Sequence, residues 1–298
     1  LEGAIIGVHH EQLTLALMER INAEMNGSLD MAISIFKGNY HKSFLHQLVS
    51  SQLDLDRMDY LKRDSFFTGV AEGAIGHDRI IKMLSVVDND LVVEEKAIYS
   101  IEKFLMARTF MYYQVYLHKT VISVEQMLFR FTELLRKEVE ARNVTCPSYP
   151  LQYFMTNRTG ESDLDSEEVL NNFINLDDVD IMSTIKYLQD CNDPALRFYS
   201  KGIADRRLLK VELKKVPFSC DLIEEMRLKV VNTLHLPDDV AGSLVISGKE
   251  RSETYSPGDN EIKVLLKNGE VVDLSSFVRR NLFEGPNITH FLCYPKFK

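Results

Sequence analysis

The sequence predicts a mainly α-helical chain that ends in a small α+β lobe, and three observations predict it. Apolar residues recur at helical spacing from the start, as at Leu13, Leu17, Ile21 and Met25. Strand-like alternation appears late, over Arg206-Arg207-Leu208-Leu209-Lys210-Val211-Glu212-Leu213. Near the end, Asn268-Gly269 lies between Ile262–Leu266 and Glu270–Leu274, the signal of a hairpin with a type I′ turn. The expected division is a helical core over residues 1–197 and an α+β lobe over 198–298.

The first helix covers residues 9–25, with Leu15 and Met18 widening its apolar stripe, and opens on His9-His10-Glu11-Gln12. A second amphipathic helix is predicted over 40–52, with Phe44, Leu45, Leu48 and Val49 inward and His41 and His46 half-exposed. The run from Leu53 to Val70 then packs Asp56, Arg57, Asp59 and Tyr60 into one turn, follows with Arg63-Asp64, and stops at Gly69. In a helix Asp56, Tyr60 and Arg63 share a face, offering a hard-cation ligand, a phenol and a guanidinium together. The bland alternative is a solvated face of opposite charges. Against it stand Leu53, Leu55, Met58, Leu61, Phe66 and Phe67, dense enough to bury the segment on several sides.

Gly76-His77-Asp78-Arg79 reads as a turn or helix start. Residues 94–140 read as long helices broken near Val121–Ser123, with Ile98, Ile101, Leu105 and Phe110 as a core stripe. Arg108, Tyr112, Tyr116 and Lys119 fall on one helical face. Residues 141–160 are loop-like, punctuated by Pro147, Pro150 and Gly160. Glu161–Asp180 holds eight acids and neither Lys nor Arg, yet keeps helical spacing, with N-caps at Asp165 or Ser166 and at Asp177. Helices follow after Asp193-Pro194 and over Glu224–Leu234, and Phe291–Tyr294 reads as a strand.

The totals exclude several function classes. With 45% hydrophobic and 27% charged residues the chain can bury a core, and no apolar run reaches the length of a membrane span. Four widely spaced cysteines without a CxxC pattern read as free thiols of a reducing, cytoplasmic compartment, and no secretory signal is visible. A net charge of −9 disfavours nonspecific nucleic-acid binding. The chain opens on Leu1 rather than methionine, as the downstream part of a longer protein would.

The order Asp56, Arg57, Asp59-Tyr60, Arg63-Asp64, Gly69 resembles the motif that carries the last metal-binding aspartate of HD-domain phosphohydrolases, in their deoxynucleoside triphosphate triphosphohydrolase branch. His10-Glu11 upstream, Arg79 downstream, and Arg108, Tyr116 and His118-Lys119 also match that family's wording. The resemblance runs from His10 to Lys119 and implies an HD-domain-like helical core that hydrolyses deoxynucleoside triphosphates to nucleoside and triphosphate. It implies that Asp56 holds a divalent metal (magnesium, manganese, iron, nickel or zinc) and that Arg57, Arg79 and Arg108 grip the phosphates. Tyr60 and Tyr116 would position sugar or phosphate, His10 would serve the leaving oxygen, and the protein would be a homo-oligomer. His77-Asp78 is not the family's metal-binding His-Asp pair, which lies upstream of the aspartate helix. The nine residues ahead of His10 hold no candidate for that pair or for the histidine before it. Either an upstream segment completes the site or the protein is a noncatalytic nucleotide-binding or regulatory relative; action on another phosphate ester is a further alternative.

Overall fold

The computed structural model describes residues 5–252, 255, 261–277 and 287–297. Parts of the expected C-terminal lobe, at 253–254, 256–260, 278–286 and 298, lie outside the described residues. The chain is mainly helical with a small sheet content, as the sequence predicts. Its contacts form two units: Leu1–Asn26, Lys119–Lys249 and His290–Lys298 make the first, and Gly27–His118 with Glu250–Thr289 make the second. This division runs across the expected boundary at residue 197.

Helix α1 (His10–Glu24) starts where the spacing places it, with the Gln12 side chain accepting from the His9 amide at 3.2 Å. Leu13 is buried, but Ile21 and Met25 are exposed, so the apolar stripe is covered only at its N-terminal end. After α2 (Asp30–Phe36), α3 spans only Ser43–Val49, shorter than the predicted 40–52; Val49 is exposed and no residue of α3 is fully buried. His41 lies exposed ahead of α3, while the half-buried His46 ring places Nδ1 3.0 Å from the Ile35 carbonyl. Helix α4 (Leu55–Thr68) is capped by Asp54 and ends at Gly69, whose φ of 72° is a left-handed terminus that a side chain would strain. A short helix α5 (His77–Lys82) begins at His77, as expected.

Strands β1 (Leu84–Val87) and β2 (Asp90–Glu94) form an antiparallel hairpin that the periodicity does not announce. Its turn residues Asp88 and Asn89 both have positive φ, which these side chains tolerate better than most. Helix α6 (Ile98–Met111) follows and buries Ile101, Phe104, Leu105 and Met111; Phe110, expected in that stripe, is exposed. The predicted break near 121–123 falls earlier, in a π turn at Tyr112–Tyr116, and α7 (Lys119–Glu140) runs unbroken with Met127, Phe131, Leu135 and Val139 buried.

Residues 141–160 are not all loop, because α8 (Tyr149–Thr156) forms there. Ser148 caps it, and Pro150 sits in its first turn, where a missing amide hydrogen is harmless. Helices α9 (Glu167–Ile174) and α10 (Asp178–Tyr187) start after Ser166 and Asp177, as the acidic segment predicts. Asp193 caps α11 (Pro194–Ala204), in which Tyr199 is buried and donates to the Ser243 carbonyl at 2.6 Å. Strand β3 (Lys210–Lys214), α12 (Cys220–Leu234), α13 (Asp238–Leu244), β4 (Ile246–Ser252), β5 (Lys263–Leu265), β6 (Val271–Asp273) and β7 (Asn287–Tyr294) complete the chain. One sheet has the order β3-β7-β4.

The other sheet, β1-β2-β5-β6, belongs to the second unit. There β5 pairs in parallel with β2, Val93 opposite Val264, so the late hairpin joins strands from early in the chain. Lys263 pairs with Asp90 across that seam and holds its carboxyl below the usual range, mainly by hydrogen bonding. The β5–β6 turn is a three-residue loop closed between Leu266 and Glu270, with only Gly269 left-handed, rather than type I′. Beneath this sheet and α4 and α6 lies a core that includes Met58, Leu61, Ile80, Phe104, Met111 and Val264.

Gly73 marks the closest approach in that core. A Cβ there would stand 2.7 Å from both Met111 Sδ and Ser65 Cβ, so no side chain fits without a shift. Gly73→Ala is expected to destabilise the protein by about 1–3 kcal/mol, read as a lowered urea midpoint. Gly76→Ala, which meets nothing within 4 Å, serves as the neutral comparison.

Candidate functional site

The segment that leads into α4 carries the chemistry. Asp54 is only 3% exposed, and its carboxylate accepts from the Arg57 amide at 2.7 Å and the Ser51 amide at 3.3 Å. The Arg57 guanidinium reaches back to pair with Asp54 and to donate to the Ser51 carbonyl. One turn thus satisfies a buried carboxylate, a helix N-terminus and a guanidinium at once. Arg108, on α6, is 6% exposed and donates through Nη1 to Gln52 Oε1 at 3.3 Å. Burial lowers the Arg57 pKa most, and the charge of Arg108 lowers it further.

Beside the arginines stands a group of phenols. Tyr60 and Tyr116 meet edge to face at 6.2 Å between ring centres, and Tyr112 meets Tyr116 at 5.4 Å. Tyr116 also donates its hydroxyl to Asp64 at 2.7 Å. The π turn makes this possible: Leu117 bonds back to the Tyr112 carbonyl at 2.7 Å, one residue farther than in an α-helix, and the widened turn carries Tyr116. Burial raises the pKa of Tyr60, and burial followed by the Asp64 hydrogen bond raises that of Tyr116.

The remaining expected residues are placed less centrally. Asp56 is exposed on α4, next to Arg57 in sequence. Asp59 and Arg63 form an exposed pair one turn on, as the bland reading of this face predicts. Leu55 is exposed, and Phe66 and Phe67 are 79% and 78% exposed, so α4 is buried on one side only, through Met58, Leu61 and Ser65. Arg79 is exposed and donates to the Lys96 carbonyl at 3.1 Å. His77 Nε2 lies 3.2 Å from Lys62 Nζ and 3.3 Å from Asp78. His10 is exposed at the start of α1 and belongs to the first unit, whereas the other candidates all belong to the second. Gln52 and Asp54 are the residues that sequence reasoning does not single out, and Asp64 appears there only as part of the motif, without a role. Asp54 leaves a trace in the sequence, as a carboxylate three residues ahead of the Arg57 amide that it caps.

A divalent ion needs several oxygen or nitrogen donors, and Asp56 supplies one. Among the described residues no three His, Cys, Asp or Glu gather to hold a metal, so this donor set does not fit a metal centre by itself. Ser51 and Gln52 also line a cavity of about 120 Å³ with Gln47, Asp90 and Lys263, too small for a nucleotide.

The comparisons agree with a phosphate-handling chain. The HD associated region family matches residues 75–146, which include Arg79, Arg108 and Tyr116. The crystal structure of a phosphohydrolase from Bacteroides thetaiotaomicron is 41% identical, with a TM-score of 0.92, over 98% of this chain and 74% of that one. The chain belongs to this phosphohydrolase family. The uncharacterized protein YwfO of Bacillus subtilis is 28% identical over 90% of the chain, which spans 61% of that relative's length. A Dictyostelium discoideum protein named deoxynucleoside triphosphate triphosphohydrolase SAMHD1 homolog is 23% identical over 80% of the chain and 45% of its own length. Among the described residues no helix is long and apolar enough to cross a membrane.

The raised phenol pKa values fix the sign of a pH effect. The unfolded chain loses tyrosine protons near pH 10, before Tyr60 and Tyr116 do in the folded state. Folding stability present below that pH should therefore fall as pH rises through it. In an ultraviolet titration of native protein these phenols should ionise late, together with the buried Tyr199 and Tyr255, and Tyr60→Phe or Tyr116→Phe should remove part of the late rise.

Proposed function

We propose that the chain carries the phosphate- and sugar-binding part of a phosphohydrolase site for deoxynucleoside triphosphates, releasing nucleoside and triphosphate. The observation that carries this reading is the half-buried Arg57 and the buried Arg108, both held by the segment that leads into α4, near Tyr60 and Tyr116. Two forked cations suit a chain of phosphates, and the face of a tyrosine ring suits the C–H face of a sugar. Support also comes from the family and from the printed name of the Dictyostelium relative. Arg79 would meet the outer phosphates, and Asp56 would contribute one donor to a divalent metal completed by further ligands. A cytoplasmic homo-oligomer belongs to the same proposal, in keeping with four free cysteines.

A second reading, nucleotide binding without turnover, is favoured by the single metal donor that Asp56 offers. Two measurements separate the readings: equilibrium binding of each deoxynucleoside triphosphate, and triphosphate release with magnesium or manganese present. Arg108→Ala should weaken binding about 10- to 100-fold, as expected for losing a charged hydrogen-bond donor. Asp56→Ala should bind nucleotide and release no triphosphate. Full turnover in that variant removes Asp56 from the mechanism, and binding without release in the parent chain supports the second reading.

A further inference from the structure

Pro194, Arg197, Phe198 and Lys201 recur at helical spacing along α11, and all four line a cavity of about 370 Å³. That volume suits a small ligand. Leu234 and Leu236 line it too, on either side of His235, whose φ of 51° ends α12. Phe198 is held by its neighbour: the two rings meet edge to face at 5.7 Å, and Tyr199 is buried and bonded to the Ser243 carbonyl. At Gly202 the lining has no side chain, and a Cβ there would stand 2.6 Å from Met127 Cε. The apolar wall is therefore set before any ligand arrives. Every lining residue belongs to the first unit, whereas Arg57, Tyr60, Arg108 and Tyr116 belong to the second.

The polar side chains of this lining are three cations, Arg197, Lys201 and Arg207. Lys201 pairs with Asp190 at 3.0 Å and Arg207 pairs with Asp205, both in exposed pairs of the kind that hold weakly. Arg197 is exposed and has no ion-pair partner among the described residues. Among those residues no neutral hydrogen-bonding side chain lines the cavity, so nothing there reads a base edge or a sugar hydroxyl. An apolar wall with cations alone beside it calls for a hydrocarbon body that ends in a negative charge. We propose that this cavity binds a free aliphatic carboxylate, its chain against Phe198, Leu234 and Leu236 and its carboxylate at Arg197. A guanidinium takes a carboxylate through two parallel N–H donors, and the chain gains in proportion to the apolar area it buries.

The test is calorimetric titration of the whole chain with dodecanoate, kept below its micelle-forming concentration, beside octanoate and dodecanol. Dodecanoate should bind at least about 10-fold more tightly than octanoate, since each further buried methylene is worth about 4-fold. Dodecanol has the same chain without the charge and should bind at least about 10-fold more weakly than dodecanoate. Arg197→Gln should weaken dodecanoate about 10-fold, leave dodecanol unchanged and melt like the parent. Leu236→Gln should weaken both ligands. No binding of dodecanoate, equal binding of dodecanol, or full dodecanoate affinity in Arg197→Gln each overturns the inference. Displacement of dodecanoate by a deoxynucleoside triphosphate, lost in Arg197→Gln, overturns it in favour of a nucleotide. Retention on anionic phospholipid vesicles without binding of free dodecanoate overturns it in favour of a lipid surface.

Discussion

The buried carboxylate of Asp54 is the constraint on which the second unit's polar architecture depends. A charge with so little access to water must find partners in the fold, and leaving it without them is costly. Here the partners are the amide that opens α4, the amide of Ser51 and the guanidinium of Arg57. The same atoms therefore start the helix, close the preceding loop and aim the arginine. Because they share one acceptor group, loosening one partner loosens the others.

Around that point the apolar packing supplies rigidity and the polar groups supply direction. Gly73 lets Met111 and Ser65 pack without an intervening side chain, which holds α4 and α6 at short range. With that spacing set, Arg108 on α6 reaches Gln52 ahead of α4, and Tyr116 reaches Asp64 on α4. These are long-range bonds, and neither forms unless both helices have docked. The parallel pairing of β2 with β5 closes the same core from the far end of the sequence.

Much of this was legible in the residues, for local reasons. Helix α4 announces itself by spacing and by the glycine that stops it, and Asp177 and Pro194 mark the starts of two others through side-chain or ring chemistry confined to one turn, while α9 starts after Ser166 with no side-chain cap bond. Tyr60, Arg108 and Tyr116 were legible as candidates on the faces that helical spacing gives them with Asp56 and Arg63 or with Tyr112 and Lys119, whereas Arg57 entered only through the resemblance. The break at Tyr112–Tyr116 was not, since a run of tyrosines contains no glycine or proline to signal it. Nor was α8, where proline suggests a loop although the first turn of a helix accepts it. The β1–β2 hairpin hides behind a turn of Asp88 and Asn89, read only when positive φ is considered. Gln52 escaped because nothing in a lone glutamine reveals a partner 56 residues away. The exposure of Phe66 and Phe67 shows the converse error: apolar density along a helix does not say how many of its sides are covered.

The widened turn at Tyr112–Tyr116 makes the length of this segment unusually consequential. Shortening it by one residue would let the backbone relax to ordinary α-helix. Every position beyond would then rotate by about 100° about the axis. Tyr116 would leave Asp64, and its ring would turn away from Tyr60. A deletion here would thus keep the composition of the site nearly intact while dispersing its phenols, so point changes should be far better tolerated across descendants of this chain than changes in spacing.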